Sequence, residues 1–322
     1  MKRILTALIF AGFGLGSLPA SAEMASEARS GASGRIVGGN MVAPGEGPWA
    51  VRLNIVIDGE DFICGATLVE PQLVTNGGIK WASGIVSARF AITAGHCVWD
   101  TVRNRPIQNA AITAVTGRLD LKSDAGEARN VVAIVPHPDF DPVTLDNDIA
   151  LLMLSDTDGS VQRRSVRQSI RLPDVGDTHW IAQEYLALIA QGWGKTAENG
   201  AGTHLLQEVR LPLVDRRACA ERYAIHGVDL NPGTICAGFV SGGFDSCNGD
   251  SGGPLVFRPN PDAPVPGTIG AVNPVLVGAV SWGIGCARQD LFGVYTSIAH
   301  HRRWLDEVAE ACLTGTVNGP CC

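Results

Sequence analysis

The stretch CGATLVEPQLVTNGGIKWASGIVSARFAITAGHC, Cys64 to Cys97, holds two β-type runs separated by an interruption. Removing the seventeen residues from Glu70 to Val86 leaves CGATLVSARFAITAGHC, which reads as one continuous hairpin. The interruption carries its own Asn-Gly-Gly between LVT and IKW, the residue types that let a chain reverse in a tight turn. A small extra hairpin inserted at the turn of a larger one is therefore expected.

The same texture extends outward in both directions. From Ile36 onward, short runs such as VRLNIVI, RFAITA, NVVAIV, IALLML, YLALIA, PLVF and VLVGAVSW are separated by Gly, Pro, Asn and Asp. Short β-rich runs punctuated by turn residues indicate an all-β barrel or sandwich. Only SIAHHRRWLDEVAEACL near the end reads as a helix, because Ile298, Trp304, Leu305, Val308 and Cys312 recur at roughly helical spacing. The polar segment between Met153 and Trp180 is a plausible link, about 155–180, between two β halves.

The chain has 322 residues and 45% hydrophobic content, enough for a sizeable core. Residues 1–22 combine Lys2 and Arg3, an apolar run from Ile4 to Leu18, and Ala20-Ser21-Ala22. That order is the pattern of a signal peptide with a small-residue cleavage site. No later stretch approaches the roughly twenty apolar residues of a bilayer span, so no membrane association is expected after signal removal. Residues 23–35 are polar and rich in Ser, Gly and Ala, with little to bury.

Nine cysteines in an exported chain point to disulfides, and the odd count leaves one over. The net charge of -7 and the lack of a basic tract argue against nucleic acid. No CxxC pair occurs and the histidines are scattered, so a zinc site is not expected.

Three separated segments carry the chemistry: TAGHC at 93–97, DNDIALL at 146–152 and GDSGGP at 249–254. They supply a histidine, an aspartate and a serine in that chain order. Together they resemble the chymotrypsin-like, trypsin-type serine proteases over almost the whole span from Ile36 to about Cys312. The resemblance implies two six-stranded antiparallel β-barrels of Greek-key type with a C-terminal α-helix, in a protease domain at 36–312 followed by a Cys-containing tail at 313–322.

It also implies roles. Ser251 is the nucleophile, His96 the base that takes its proton, and Asp148 the group that fixes and stabilises the imidazole. Asp146 is the wrong aspartate by motif alignment. Backbone N–H groups of Gly249 and Ser251 form the oxyanion hole. Arg35 followed by IVGGN resembles a zymogen junction, where cleavage after Arg35 frees the amine of Ile36 to pair with Asp250. Such pairing raises the pKa of the amine, so its stabilising contribution is present at lower pH and lost as pH rises through the raised value.

Asp245, six residues before Ser251, falls where the trypsin branch places the acid at the floor of its specificity pocket. Gly283 and Gly293 fall where small residues leave the pocket open, and Ser281 and Trp282 begin the strand that receives substrate backbone. The partners implied are protein or peptide substrates with Arg or Lys at P1, and proteinaceous inhibitors. No cofactor and no metal are implied; Asp120, Asp124 and Glu127 lie near a family calcium loop, but their spacing does not establish a site. The implied disulfides are Cys64–Cys97, Cys219–Cys236 and Cys247–Cys286, while Cys312, Cys321 and Cys322 have no family counterpart.

The whole reads as a secreted endopeptidase, extracellular or periplasmic. A noncatalytic protease homologue that binds without cutting is the alternative, since fold and activity can separate. In the resembling fold the Cys64–Cys97 hairpin turns at its far end, and strands of five or six residues span roughly 17 to 20 Å. The insertion is therefore expected to leave His96 in place. The 257–275 connection, long and proline-rich, reads as a substrate-selecting loop or a tolerated surface insertion, and the second is expected.

Overall fold

The computed structural model describes residues 36–74, 78–85, 89–155, 168–174, 187–258, 273–315 and 321. The expected leader, the propeptide with Arg35, most of the inter-barrel link, the 259–272 part of the long connection and Cys322 lie outside the described residues.

The chain builds two closed antiparallel barrels. The first contains β1 (Ala50–Ile57), β2 (Glu60–Leu73), β3 (Phe90–Thr93), β4 (Ile112–Thr116), β5 (Glu127–Pro136) and β6 (Ala150–Leu154). The second contains β7 (Ala187–Gly192), β8 (Gln207–Val214), β9 (Thr234–Ala237), β10 (Pro254–Phe257), β11 (Val275–Trp282) and β12 (Gly293–Ser297). Around the first barrel the order is β1-β4-β5-β6-β3-β2, closing back on β1; around the second it is β7-β10-β11-β12-β9-β8, closing on β7. These are the same connectivity, strand for strand, so each half solves the edge problem in the same way.

Alternation drives the closure. In β5, Glu127, Arg129, Val131, Ala133 and Val135 are buried while Ala128, Asn130 and Val132 face outward, the period-2 pattern of a half-buried strand. Inward residues such as Leu53, Leu68, Ile92 and Leu152 fill the first barrel. Leu188, Leu211, Val277 and Tyr295 belong to the core of the second, and Ile36 is buried with them.

Among the described residues two α-helices accompany the barrels. α2 (Ile298–Thr314) begins at Ser297, whose hydroxyl accepts from the His300 N–H, and ends at Gly315 in the left-handed conformation. α1 (Arg216–Ala224) was not expected from its sequence, RRACAERYA. Its buried residues are only Cys219 and Tyr223, four apart, so the apolar signal is too narrow to read; Asp215 caps it by accepting from Ala218 N–H.

The insertion continues β2 outward. Glu70–Leu73 pairs with Ile79–Ala82, in register from Glu70 with Ala82 to Leu73 with Ile79. Across its base β2 still pairs with β3, Thr67 opposite Ile92 and Val69 opposite Phe90. The parent hairpin is thus intact beneath the extra one.

Candidate active site

His96 and Asp148 reach the same place because of strand register. Thr93 at the end of β3 lies opposite Ala150 at the start of β6. In an antiparallel pair, the chain leaving one strand and the chain entering the other meet at one end. The turn Gly95–Val98 then presents His96, and Asp148 stands two residues before β6.

Asp148 is almost fully buried, and both of its carboxylate oxygens meet the histidine. Its Oδ1 accepts the His96 backbone N–H at 2.8 Å, and its Oδ2 lies 2.8 Å from His96 Nδ1. Ser281 Oγ donates to Oδ2 at 2.5 Å, and Thr296 Oγ1 donates to the Asp148 carbonyl at 2.7 Å. With Nδ1–H held by the carboxylate, Nε2 is left as the basic nitrogen. Burial pulls the His96 pKa down, but the charge of Asp148 and its hydrogen bond together outweigh burial and hold it above the ordinary value. Burial pushes Asp148 up, and His96 with the Ser281 hydroxyl brings it below the usual carboxylate range.

Asp146 is turned elsewhere, accepting from Asn231 Nδ2 at 2.7 Å. Ser281 sits near the end of β11 and not at the start of a strand, and its side chain serves the aspartate. Sequence reading missed that contact, because a serine before a tryptophan carries no sign of which partner its hydroxyl will find.

Ser251 precedes β10 of the second barrel, and its carbonyl accepts the Gly65 N–H of the first at 2.7 Å. It lines one cleft with His96 and Gly249. Among the described residues Ser251 Oγ and His96 Nε2 form no hydrogen bond, a contact that in unliganded enzymes often tightens only with substrate. Gly249 has φ +97, and a Cβ there would stand 2.9 Å from Ile63 Cδ1 and 3.1 Å from the Gly194 Cα. Only glycine fits that backbone beside the serine.

Asp250, fully buried, accepts N–H bonds from Gly194 at 2.7 Å and Cys247 at 2.9 Å. Burial raises its pKa to about 6, against the opposing pull of those two bonds and of the Arg52 charge.

On the other side of Ser251 a second pocket is lined by Asp245, Ser281, Trp282, Gly283 and Gly293, with the Cys247–Cys286 disulfide in its wall. Asp245 Oδ2 accepts the Ala287 N–H at 3.0 Å, whereas Oδ1 has no partner among the described residues. Burial lifts its pKa to about 7, with the backbone bonds from Ala287 and Ser246 opposing and the Asp250 charge adding. A Cβ on Gly293 would stand 2.7 Å from Asp245 Oδ1, while one on Gly283 would meet nothing nearer than 3.5 Å. Gly293 therefore keeps the carboxylate accessible, and Gly283 borders open space.

The sequence matches the trypsin family over residues 36–305. The chain belongs to that family. It is 34% identical over 265 residues to a trypsin of Simulium vittatum, covering 82% of this chain and 88% of the relative. Identity to trypsin-1 of Astacus astacus is 35% over 273 residues, 84% of this chain and 98% of that one. Serine protease 56 of Homo sapiens is 35% identical over 284 residues, 87% of this chain but 40% of the longer relative.

As a member of the trypsin family the chain is a serine endopeptidase acting on protein or peptide substrates. Its disulfides are Cys64–Cys97, Cys219–Cys236, Cys247–Cys286 and Cys312–Cys321. The last ties the end of α2 to the tail. Asp120, Asp124 and Glu127 do not converge: Asp120 faces His204 at 2.8 Å, Asp124 is exposed, and Glu127 is buried beside Arg129. No helix among the described residues is long and apolar enough to cross a membrane.

Proposed function

We propose that this protease is exported as a zymogen, is cleaved after Arg35, and hydrolyses peptide bonds after Arg or Lys through a Ser251 acyl-enzyme. Export rests on the leader-like residues 1–22 and the disulfide-rich domain. His96 Nε2 takes the Ser251 proton as Oγ attacks the carbonyl, and Asp148 stabilises the imidazolium that results. The N–H groups of Gly249 and Ser251 receive the oxyanion; one such donor is worth about 3 kcal/mol in the transition state. His96 then returns the proton to the leaving amine, and water repeats the sequence to free the acid.

The observation that carries the specificity is the unpartnered Asp245 Oδ1, buried at the pocket floor. A buried carboxylate lacking a partner is costly, and a substrate guanidinium or ammonium supplies one. Activation follows the same logic at Asp250. Ile36 is fully buried, and Asp245 N–H donates to the Val37 carbonyl at 3.2 Å, so the new terminus is anchored to the specificity segment. An α-ammonium on Ile36 is the counter-charge that Asp250 calls for. Arg35 itself fits an Asp245 pocket, so a Ser251→Ala precursor that matures normally when expressed alone excludes self-activation. Proteinaceous inhibitors that present Arg or Lys would occupy the same pocket.

The test is covalent. Protein cleaved after Arg35 is treated with a fluorophosphonate and profiled on peptides varied at P1. An adduct on Ser251 with turnover confined to Arg and Lys is expected; a cleaved protein that takes no label is a binding homologue.

A further inference from the structure

The cleft holding His96 and Ser251 does not include Asp245 in its lining and has a volume of about 590 Å³. Its lining is mostly apolar, with Ile57, Phe62, Ile63, Trp99 and Val102 on its walls beside the charged Asp61, Asp100 and Lys195. Three of these are large side chains left open to solvent, Phe62 at 51%, Ile63 at 38% and Val102 at 89%. Ile63 is part of the reaction centre's own surroundings, since its Cδ1 is the atom a Cβ on Gly249 would strike.

The two walls are held in fixed relation. The tip of the β1–β2 hairpin carries Asp58, and the loop of the Trp99–Asp100 and Arg105–Pro106 pair carries Arg103. Arg103 donates to both Asp58 oxygens, at 2.9 and 3.0 Å, and to Asp100 Oδ2 at 2.6 Å. Asp100 Oδ1 also accepts the N–H groups of Val102 and Arg103. Trp99 is braced edge-on by Phe140, ring centres 5.5 Å apart. An apolar cleft with tied walls is preformed for a ligand side chain and does not have to be assembled on binding.

Resting on the reading of Asp245 as the pocket for the residue before the scissile bond, we infer that this cleft selects an aliphatic side chain among the first two residues after it. The Asp245 pocket and this cleft share Ser251 and Asn248 and are otherwise lined by different residues, and the second contains the base that protonates the leaving amine. The acyl part of the substrate occupies the first and the leaving part the second. The favoured substrate is therefore Arg or Lys followed by an aliphatic residue. The chain's own junction, Arg35-Ile36-Val37, has that pattern.

Activated enzyme is given quenched fluorescent peptides with Arg fixed before the scissile bond and Gly, Asp, Val, Ile or Leu in turn at the first and second positions after it. An aliphatic residue at one of these positions raises kcat/KM about tenfold or more over Gly, the scale for filling an apolar pocket. In Phe62→Ser and Ile63→Ser enzymes the aliphatic-to-Gly ratio falls toward one. A flat profile on peptides that are cut after Arg overturns the inference and leaves the Asp245 reading standing. If Arg peptides are not cut while Ser251 still takes the fluorophosphonate, the Asp245 reading fails instead. The same scan is then run behind whichever residue is accepted, and a flat profile there also overturns the inference.

Discussion

Trp81, carried by the insertion, donates its indole N–H to Asp306 Oδ1 on α2 at 2.7 Å. Asp306 Oδ1 also accepts from Arg302 Nε at 2.9 Å, and Arg302 Nη1 donates to the Pro173 carbonyl. The extra hairpin is thus fastened to the C-terminal helix and, through it, to a described part of the inter-barrel link. Its far side is secured as well, with Gly84 paired to Ser169 and Ser169 Oγ donating to the Ala82 carbonyl at 2.8 Å. No described residue of the insertion lines the cleft of His96 and Ser251.

Stability and activity should therefore separate at Trp81. Its side chain is buried in the first core cluster, so Trp81→Ala is expected to cost about 3–5 kcal/mol. Trp81→Phe, which retains most of the packing and loses the hydrogen bond, should cost about 1 kcal/mol. Both should leave kcat/KM unchanged in the fraction that is folded. Urea denaturation followed by tryptophan fluorescence, alongside active-site titration, measures the two effects; a loss of kcat at full folding would show that the insertion reaches the catalytic groups.

Asp148→Asn should lower activity by about four orders of magnitude at neutral pH, the scale for removing this charge from a Ser-His-Asp arrangement. The pH dependence gives a second reading. In the proposed mechanism the working base is neutral His96, and Asp148 holds its pKa above the ordinary value, so the acid limb of kcat/KM should lie higher than for an unassisted imidazole. With asparagine in place, burial is no longer outweighed and the midpoint should move to lower pH. For stability the sign is the same: the gain from protonated His96 is present below the unfolded pKa and lost as pH rises through the folded one. A variant whose midpoint stays fixed would break the assignment of Asp148.

The motifs made the grouping legible, since strand register brings His96 to Asp148 and one cleft joins His96 with Ser251. Alternation in runs such as NVVAIV and VLVGAVSW made the barrels legible. Contacts made by single polar side chains between distant segments were not. Nothing in SWG announces that Ser281 turns to Asp148, 133 residues away. Nothing in GIKWA announces that Trp81 will find Asp306, 225 residues away. The extra pairing of Glu70–Leu73 with Ile79–Ala82 was readable because a reversal is a local event, although Asn76 and Gly77 themselves lie outside the described residues; where the hairpin docks is decided by shape and by partners that local pattern does not encode. For Cys312 the tail offered two adjacent cysteines, 321 and 322, and its partner is Cys321.

Gly249→Ala should be folded but catalytically poor. A φ of +97 strains any side chain, and the added Cβ would press on Ile63 Cδ1 at 2.9 Å. Relief requires the backbone N–H to turn from its proposed oxyanion position, which should cost about 10²–10³ in kcat. Binding of a small arylamidine at Asp245 should change far less, because Gly249 is not in that pocket's lining. Equal losses in kcat and in arylamidine affinity would indicate a collapsed site and not a misaimed donor.

Asp245 predicts a proton linkage. Burial raises its folded pKa to about 7, well above the unfolded carboxylate value, so its contribution to stability is favourable at low pH and is lost as pH rises through about 7. A cation in the pocket reverses the preference, since it favours the ionised carboxylate. Arylamidine binding below that pKa must therefore expel one proton, and affinity should fall about tenfold per pH unit between pH 6.5 and 5. Calorimetry in two buffers of different ionisation enthalpy would show the proton leaving. His96 titrates nearby, so Asp245→Asn is the control: it should bind weakly with no slope assignable to the pocket. A wild-type affinity that stays flat from pH 8 to 5 would mean that Asp245 is already ionised when empty, which its unpartnered Oδ1 and burial argue against.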